Sequence, residues 1–130
     1  MGGVGPRALL LDAGALIAFE KEGRSARELV RQALRRGATV IVPAPVLAQV
    51  WRDPRRQAPL ARLIGSETTR VDSLDVETVK AVGVICGKSG PADVVDASVV
   101  VSARLHGATV VTSDPADLLR IDQALNIEQP

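Results

Sequence analysis

At 130 residues the chain falls in the size range of one domain, residues 1–130, long enough to bury roughly two-thirds of the surface it exposes when unfolded. Apolar residues make up 46% and aromatics only 2%, so the core must be built from Ala, Val, Leu and Ile, and stacking on several bases is excluded. With 16 Lys and Arg against 15 Asp and Glu, no uniformly basic character marks a nucleic-acid binder, and only local clustering of arginines can serve that end.

Residues 1–7 lack the apolar stretch of a signal peptide, and no apolar run approaches the ~18 residues of a membrane span. A cytoplasmic protein with no membrane partner is the expectation. Residues 8–11 are a short apolar run that ends at Asp12 and reads as a first strand. Residues 13–20 read as a helix and 24–36 as a second, with Ser25 near its start and Gly37 as its stop. Residues 39–42, closed by Pro43, form the next strand. In 44–51 the apolar Val46, Leu47, Val50 and Trp51 recur at helical spacing. Pro54 and Pro59 bracket a basic connection, and a short helix follows over 60–64.

Residues 69–71 are a strand candidate. Residues 75–86 read as a helix with Asp75 as N-cap, and 87–90 as a loop. The lone Cys86 lies in the apolar stretch of that helix and reads as a buried structural thiol. A single cysteine forms no internal disulfide, and one cysteine with one histidine, His106, makes no zinc cluster. Residues 91–106 carry a valine-rich composition that suits a strand. They are too many for one, however, Pro91 suits a first helical position, and Gly107 supplies a stop, so the segment is predicted to be a buried helix. Residues 109–112 form another apolar strand, Asp114-Pro115 opens a last helix reaching about Leu125, and Ile127 begins an edge strand. Continuous apolar strands separated by helices specify an α/β fold with a mostly parallel sheet flanked by helices.

Acidic residues recur at the ends of these strands. Asp12 ends the first, and Asp114 lies just past the fourth. In open parallel sheets ligands bind outside the carboxyl ends of the strands, although an aspartate before a helix also serves as an N-cap. Asp96, expected in the second turn of the 91–106 helix and beyond the capping positions, sits between Val95 and Ala97. A buried carboxylate without a partner is costly, and either a metal or an arginine would resolve the cost. Asp93, three residues earlier on the same face, suits either the helix dipole or support of a metal. Hard oxygen donors without His or Cys point to Mg²⁺ or Mn²⁺, and carboxylate-held Mg²⁺ beside a phosphate is apparatus for phosphoryl transfer or phosphodiester hydrolysis.

Several segments, in order and spacing, resemble the PIN-domain ribonucleases, in particular the VapC-type toxins of toxin–antitoxin pairs. They are Leu9-Leu10-Leu11-Asp12 with Ala15-Leu16-Ile17-Ala18, Val42-Pro43-Ala44-Pro45-Val46-Leu47-Ala48, Asp96-Ala97 with Ala103, and Gly107-Ala108-Thr109-Val110-Val111-Thr112-Ser113-Asp114. The resemblance spans nearly the whole chain and implies a PIN-like three-layer sandwich with a mostly parallel central sheet. It also implies a site of four acids around one or two divalent cations. Asp12, Asp96 and Asp114 match the first, third and fourth. Gln49 stands where the second acid is expected, so the implied site is three acids plus a neutral amide, unless Asp93 joins. The implied activity is cleavage of RNA, with Thr112 and Ser113 orienting ligands and Arg52, Arg55, Arg56 and Arg62 gripping phosphates. A homodimer and a cognate antitoxin are the implied protein partners. The arginines also read as a solvated basic face.

Other readings compete. A haloacid-dehalogenase phosphatase needs a second acid two residues after Asp12, where Gly14 stands. A receiver domain needs a further acidic pair and a lysine on a late strand, which this chain lacks. The remaining rival is a PIN fold with weakened catalysis that acts as an RNA- or protein-binding module, Gln49 being its mark.

Overall fold

The computed structural model describes residues 7–21, 23–88, 90 and 93–130. The apolar runs form the strands β1 (Ala8–Leu11), β2 (Thr39–Pro43), β3 (Thr69–Asp72), β4 (Thr109–Val111) and β5 (Asn126–Glu128). They lie in one sheet in the order β3-β2-β1-β4-β5, and every pairing is parallel. The sheet is thus wholly parallel, where a mostly parallel one was expected.

The helices are α1 (Ala13–Glu20), α2 (Arg24–Arg35), α3 (Ala44–Val50), α4 (Ala58–Ile64), α5 (Val76–Lys88), α6 (Val94–His106) and α7 (Pro115–Ile121). From β1 to β3 the chain steps one way along the sheet; from β3 it crosses back to β4 and β5. Because such crossovers are right-handed, the helices before β3 cover one face and those after it the other. In keeping with this, α1 packs on α2, α3 and α4, while α6 packs on α5, α7, β1, β2 and β4, with α3 meeting α6 as well as α1. The result is three layers.

The core between them is aliphatic, as the shortage of aromatics requires: Leu10, Leu16, Ile41, Leu60, Val100 and Val110 are fully buried. Among the described residues, no helix is long and apolar enough to cross a membrane.

Several boundaries differ from those read in the sequence. The sixth helix starts at Val94 with Asp93 as its N-cap, the Asp93 carboxylate accepting from the Val95 amide at 2.6 Å. Asp96 therefore lies in the first turn, where the helix dipole favours an acid, and not in the second. Pro91, expected at the first helical position, lies outside the described residues. The α5 helix runs on through Gly87 to Lys88, and Asp75 caps it by accepting from the Thr78 amide at 2.8 Å. Of α5 only Val82 is buried, and Cys86 is half-buried, so the expected burial of that stretch is not found. The expected full burial of α6 holds only for its middle, because Val94 and Leu105 at its ends are exposed. Pro59 sits inside the first turn of α4, and α7 stops at Ile121.

Two polar devices hold these helices. His106 and Ser102 of α6 both bond Asp72 Oδ2 at the end of β3, at 2.7 and 2.5 Å, and Arg70 Nε donates to Oδ1 at 2.8 Å. Burial raises the Asp72 carboxyl, but these bonds together outweigh it and hold the group below its ordinary value. They border a cavity of about 80 Å³ between the β3–α5 connection and α6.

The second device is Gln57, whose amide is buried in the α3–α4 connection. Its Oε1 accepts from the amides of Arg52 and Asp53 at 2.8 and 3.0 Å, and its Nε2 donates to Val50 O at 2.9 Å and to Glu20 Oε1 at 2.6 Å. This one side chain closes the basic loop and ties it to the end of α1. Gln57→Leu keeps the volume but strands those backbone groups, and should lower stability by about 2–4 kcal/mol. Chemical denaturation checks this; an unchanged midpoint would mean that water satisfies the loop instead.

Candidate active site

The order of strands reverses between β1 and β4, and a crevice opens at their carboxyl ends. Leu11 pairs with Val111, and the Asp12 amide donates to Val111 O at 3.2 Å, so the residues that follow the two strands emerge side by side. Asp12 caps α1, its Oδ1 accepting from the Ala15 amide at 2.9 Å. The fully buried Thr112 joins the two segments: its hydroxyl bonds the Asp12 carboxylate and accepts from the Asp114 amide at 3.0 Å. Asp114 occupies the N-cap of α7 but makes no capping bond with its side chain, which leaves the carboxylate exposed and free for other work.

The α6 helix runs antiparallel to the strands, so its first turn reaches the same end of the sheet. Asp96 is half-buried there. Its pKa is pushed up to about 6, first by burial and then by the charges of Asp93, Asp117, Asp12 and Asp114. Burial also raises Asp12 above its ordinary value, against the lowering effect of bonds from Thr112, Ala15 and Gly14, with Asp114 adding repulsion. The structure therefore brings Asp12, Asp93, Asp96 and Asp114 into one electrostatic field. The four charges that most raise Asp96 are all acidic.

Asp117 was missed in the sequence. It lies three residues after Asp114, on the same face of α7, and that spacing was the available signal. It also pairs with Arg120 at 3.5 Å on the exposed side.

The remaining sequence candidates lie as follows. Ser113 is exposed at the mouth of the crevice. Gln49 is exposed in the last turn of α3, a helix that packs against both α1 and α6. Arg52 folds back to donate to Ala48 O and Trp51 O at 2.9 and 2.7 Å, while Arg55 and Arg56 project into solvent beside Asp53. Arg62, in the last turn of α4, is exposed.

The donor set is hard oxygen throughout, and its crowded negative charge is what a divalent cation would relieve. Among the described residues, however, no three acidic, His or Cys side chains close up tightly enough to hold a metal ion between them. Mg²⁺ keeps several of its waters and takes one or two carboxylates directly, so it does not require three in contact.

Residues 9–123 match the family model described as the PIN domain. No curated protein matches the sequence. Among solved structures, the crystal structure of VapBC2 from Rickettsia felis bound to a DNA fragment from their promoter superposes with a TM-score of 0.72 at 17% identity, covering 95% of this chain and 98% of that one. VapC20 from Mycobacterium tuberculosis, described as a sarcin-ricin loop cleaving toxin, gives a TM-score of 0.59 at 16% identity over 78% of this chain and 86% of that one. FitAB bound to an IR36 DNA fragment gives 0.60 at 17% identity, covering 94% of each chain. At these identities the likeness is one of fold.

The field around Asp96 has a stability consequence. An unfolded aspartate titrates near 3.8 and folded Asp96 near about 6. The stabilising effect of the neutral acid is therefore full below the lower value and is lost as pH rises through the upper one. At pH 7 and without metal, Asp96→Asn should raise stability by about 1–2 kcal/mol, a figure discounted for the partial exposure of the group. The gain should vanish below pH ~4. Thermal unfolding of both forms across that range reads it directly; a pH-independent difference would show that the charge of Asp96 is not the cause.

Proposed function

The chain belongs to the PIN domain family, and from that premise we propose that it is a divalent-metal-dependent endoribonuclease, the toxin of a toxin–antitoxin pair. One observation carries the reading: Asp96 is half-buried beside the charges of Asp93, Asp117, Asp12 and Asp114, and burial first and those charges second raise its pKa to about 6. Among the described residues, Asp117 alone of these acids pairs with an arginine, Arg120, and a purely structural role would pair more of them. A catalytic role leaves them for a cation.

Asp12, Asp96 and Asp114 are the residues that would hold Mg²⁺ or Mn²⁺, with Asp93 and Gln49 at the margin. Such an ion, when bound, supplies Lewis-acid charge toward a phosphodiester. The chain's own contribution is positioning. Thr112 ties the Asp12 carboxylate to the Asp114 backbone, and the core fixes α6 and with it Asp96. Arg52, Arg55, Arg56 and Arg62 offer phosphate contacts along the α3–α4 surface.

A cognate antitoxin is the proposed protein partner, in line with the fold shared with VapBC2 and FitAB. A second copy of the chain is proposed on the face where Val76, Val79, Val84 and Leu105 are exposed. There α5 carries Glu77 in its first turn and Lys88 in its last, so a two-fold pairing of antiparallel α5 helices sets opposite charges together.

Purified protein free of any partner should cleave single-stranded RNA with Mg²⁺ or Mn²⁺ and not with chelator. Asp12→Asn, Asp96→Asn and Asp114→Asn should each reduce cleavage by about a hundredfold or more. Cleavage that survives chelation, or persists in all three variants, would refute the assignment.

A second reading has one observation behind it. Gln49 supplies no charge at the position where the family resemblance expects an acid, which favours a binding module with weakened catalysis. Metal-dependent RNA cleavage by the purified protein separates the two, and Gln49→Glu tests where residue 49 stands. A charged oxygen in place of a neutral one of the same shape should raise Mn²⁺ affinity by roughly ten- to a hundredfold, read by isothermal titration. Equal or weaker binding would place residue 49 outside the metal's reach.

A further inference from the structure

Glycine inside a helix is costly, because alanine in its place restricts the unfolded chain and stabilises the helix. Gly14 is the second residue of α1, and it is not among the glycines with positive φ. No backbone requirement selects it. The requirement is spatial. A β-carbon at position 14 would lie 2.2 Å from Ser113 Oγ, but at ordinary contact distances from Ser113 Cβ (3.5 Å) and Asp12 Oδ1 (3.6 Å). The conflict is with the Ser113 hydroxyl alone, which occupies the volume that a side chain at 14 would fill. Thr112 beside it is fully buried, whereas Ser113 is exposed at the crevice mouth, so this hydroxyl is the one that an incoming ligand meets.

We propose that Gly14 is a positioning residue: the side chain it lacks is the berth of the Ser113 hydroxyl, which stands beside Asp12 to hydrogen-bond a phosphate oxygen of the substrate, an assignment that presupposes the phosphodiester-cleaving reading above. The pair also fixes how closely the β4–α7 connection approaches α1. Ser113 Oγ has other staggered positions, and a side chain at 14 forces it into one of them, away from Asp12.

Four variants test this: Ser113→Ala, Gly14→Ala, Gly14→Ala with Ser113→Ala, and Gly14→Ser with Ser113→Ala. Each is measured for single-turnover RNA cleavage with Mn²⁺, for Mn²⁺ affinity and for Tm. The first two should each lose about tenfold in cleavage, the worth of one hydrogen bond to a charged group, with Mn²⁺ affinity unchanged. The third should be no worse than either, since both changes remove the same hydroxyl from the same place. The fourth returns a hydroxyl to the berth from the opposite side and should recover most of the rate. Gly14→Ala should lower Tm when Ser113 is present and raise it when Ser113 is replaced by alanine. Wild-type cleavage with additive losses, no recovery in the fourth variant, or a Tm change independent of residue 113 overturns the pairing alone. Absence of cleavage by the wild type overturns both the nuclease reading and the role of the hydroxyl.

Discussion

Leu11 pairs in parallel with Val111, and on that register depends the position of nearly every acid that matters here. A slip of one residue would exchange the two buried faces of β4 and move Val110 from one layer of the core to the other. The sheet prevents the slip because all four residues of β1 are buried and both of its neighbours are parallel strands. The apolar core thus sets the geometry of a polar site that it does not touch.

From this register the acids are placed by different means. Asp12 is fixed by its own capping bond and by Thr112. Asp114 is placed through its backbone, which leaves its carboxylate unused. Asp96 is placed by a helix whose middle is buried against three strands. The helix dipole favours an acid in that first turn, yet burial and the neighbouring acids still drive the titration of Asp96 upward. Burial and repulsion among like charges together therefore exceed what the helix terminus returns.

Most of the fold was legible because the strands are uninterrupted aliphatic runs bounded by Asp, Pro or Gly, and Gly37 and Gly107 end helices with positive φ as their sequence position suggests. The start of α6 was misread because Pro91 offered a stronger local signal than Asp93, and capping is decided by a bond that composition does not reveal. The burial of Cys86 was misread for another reason. Its apolar neighbours suggested a buried thiol, but the one buried residue of α5 shows the helix packing at the margin, on α6. In the site, Asp12, Asp96 and Asp114 were legible from strand ends and a family likeness. Asp117 was hidden by reading Asp114 alone, and Gln57 because a buried amide serving four partners resembles any loop glutamine in sequence.

The outer strand β3 has one unpaired edge, and such an edge is a template on which another chain can add a strand. Here it is only four residues long, and it carries Arg70 bonded to Asp72 along its length, with Asp72 drawn inward by Ser102 and His106. An arriving strand would have to desolvate that charged pair for the sake of few backbone bonds. The cluster that fastens the end of α6 therefore also makes β3 a poor template, and of the sheet's two edges it guards this one against strand addition.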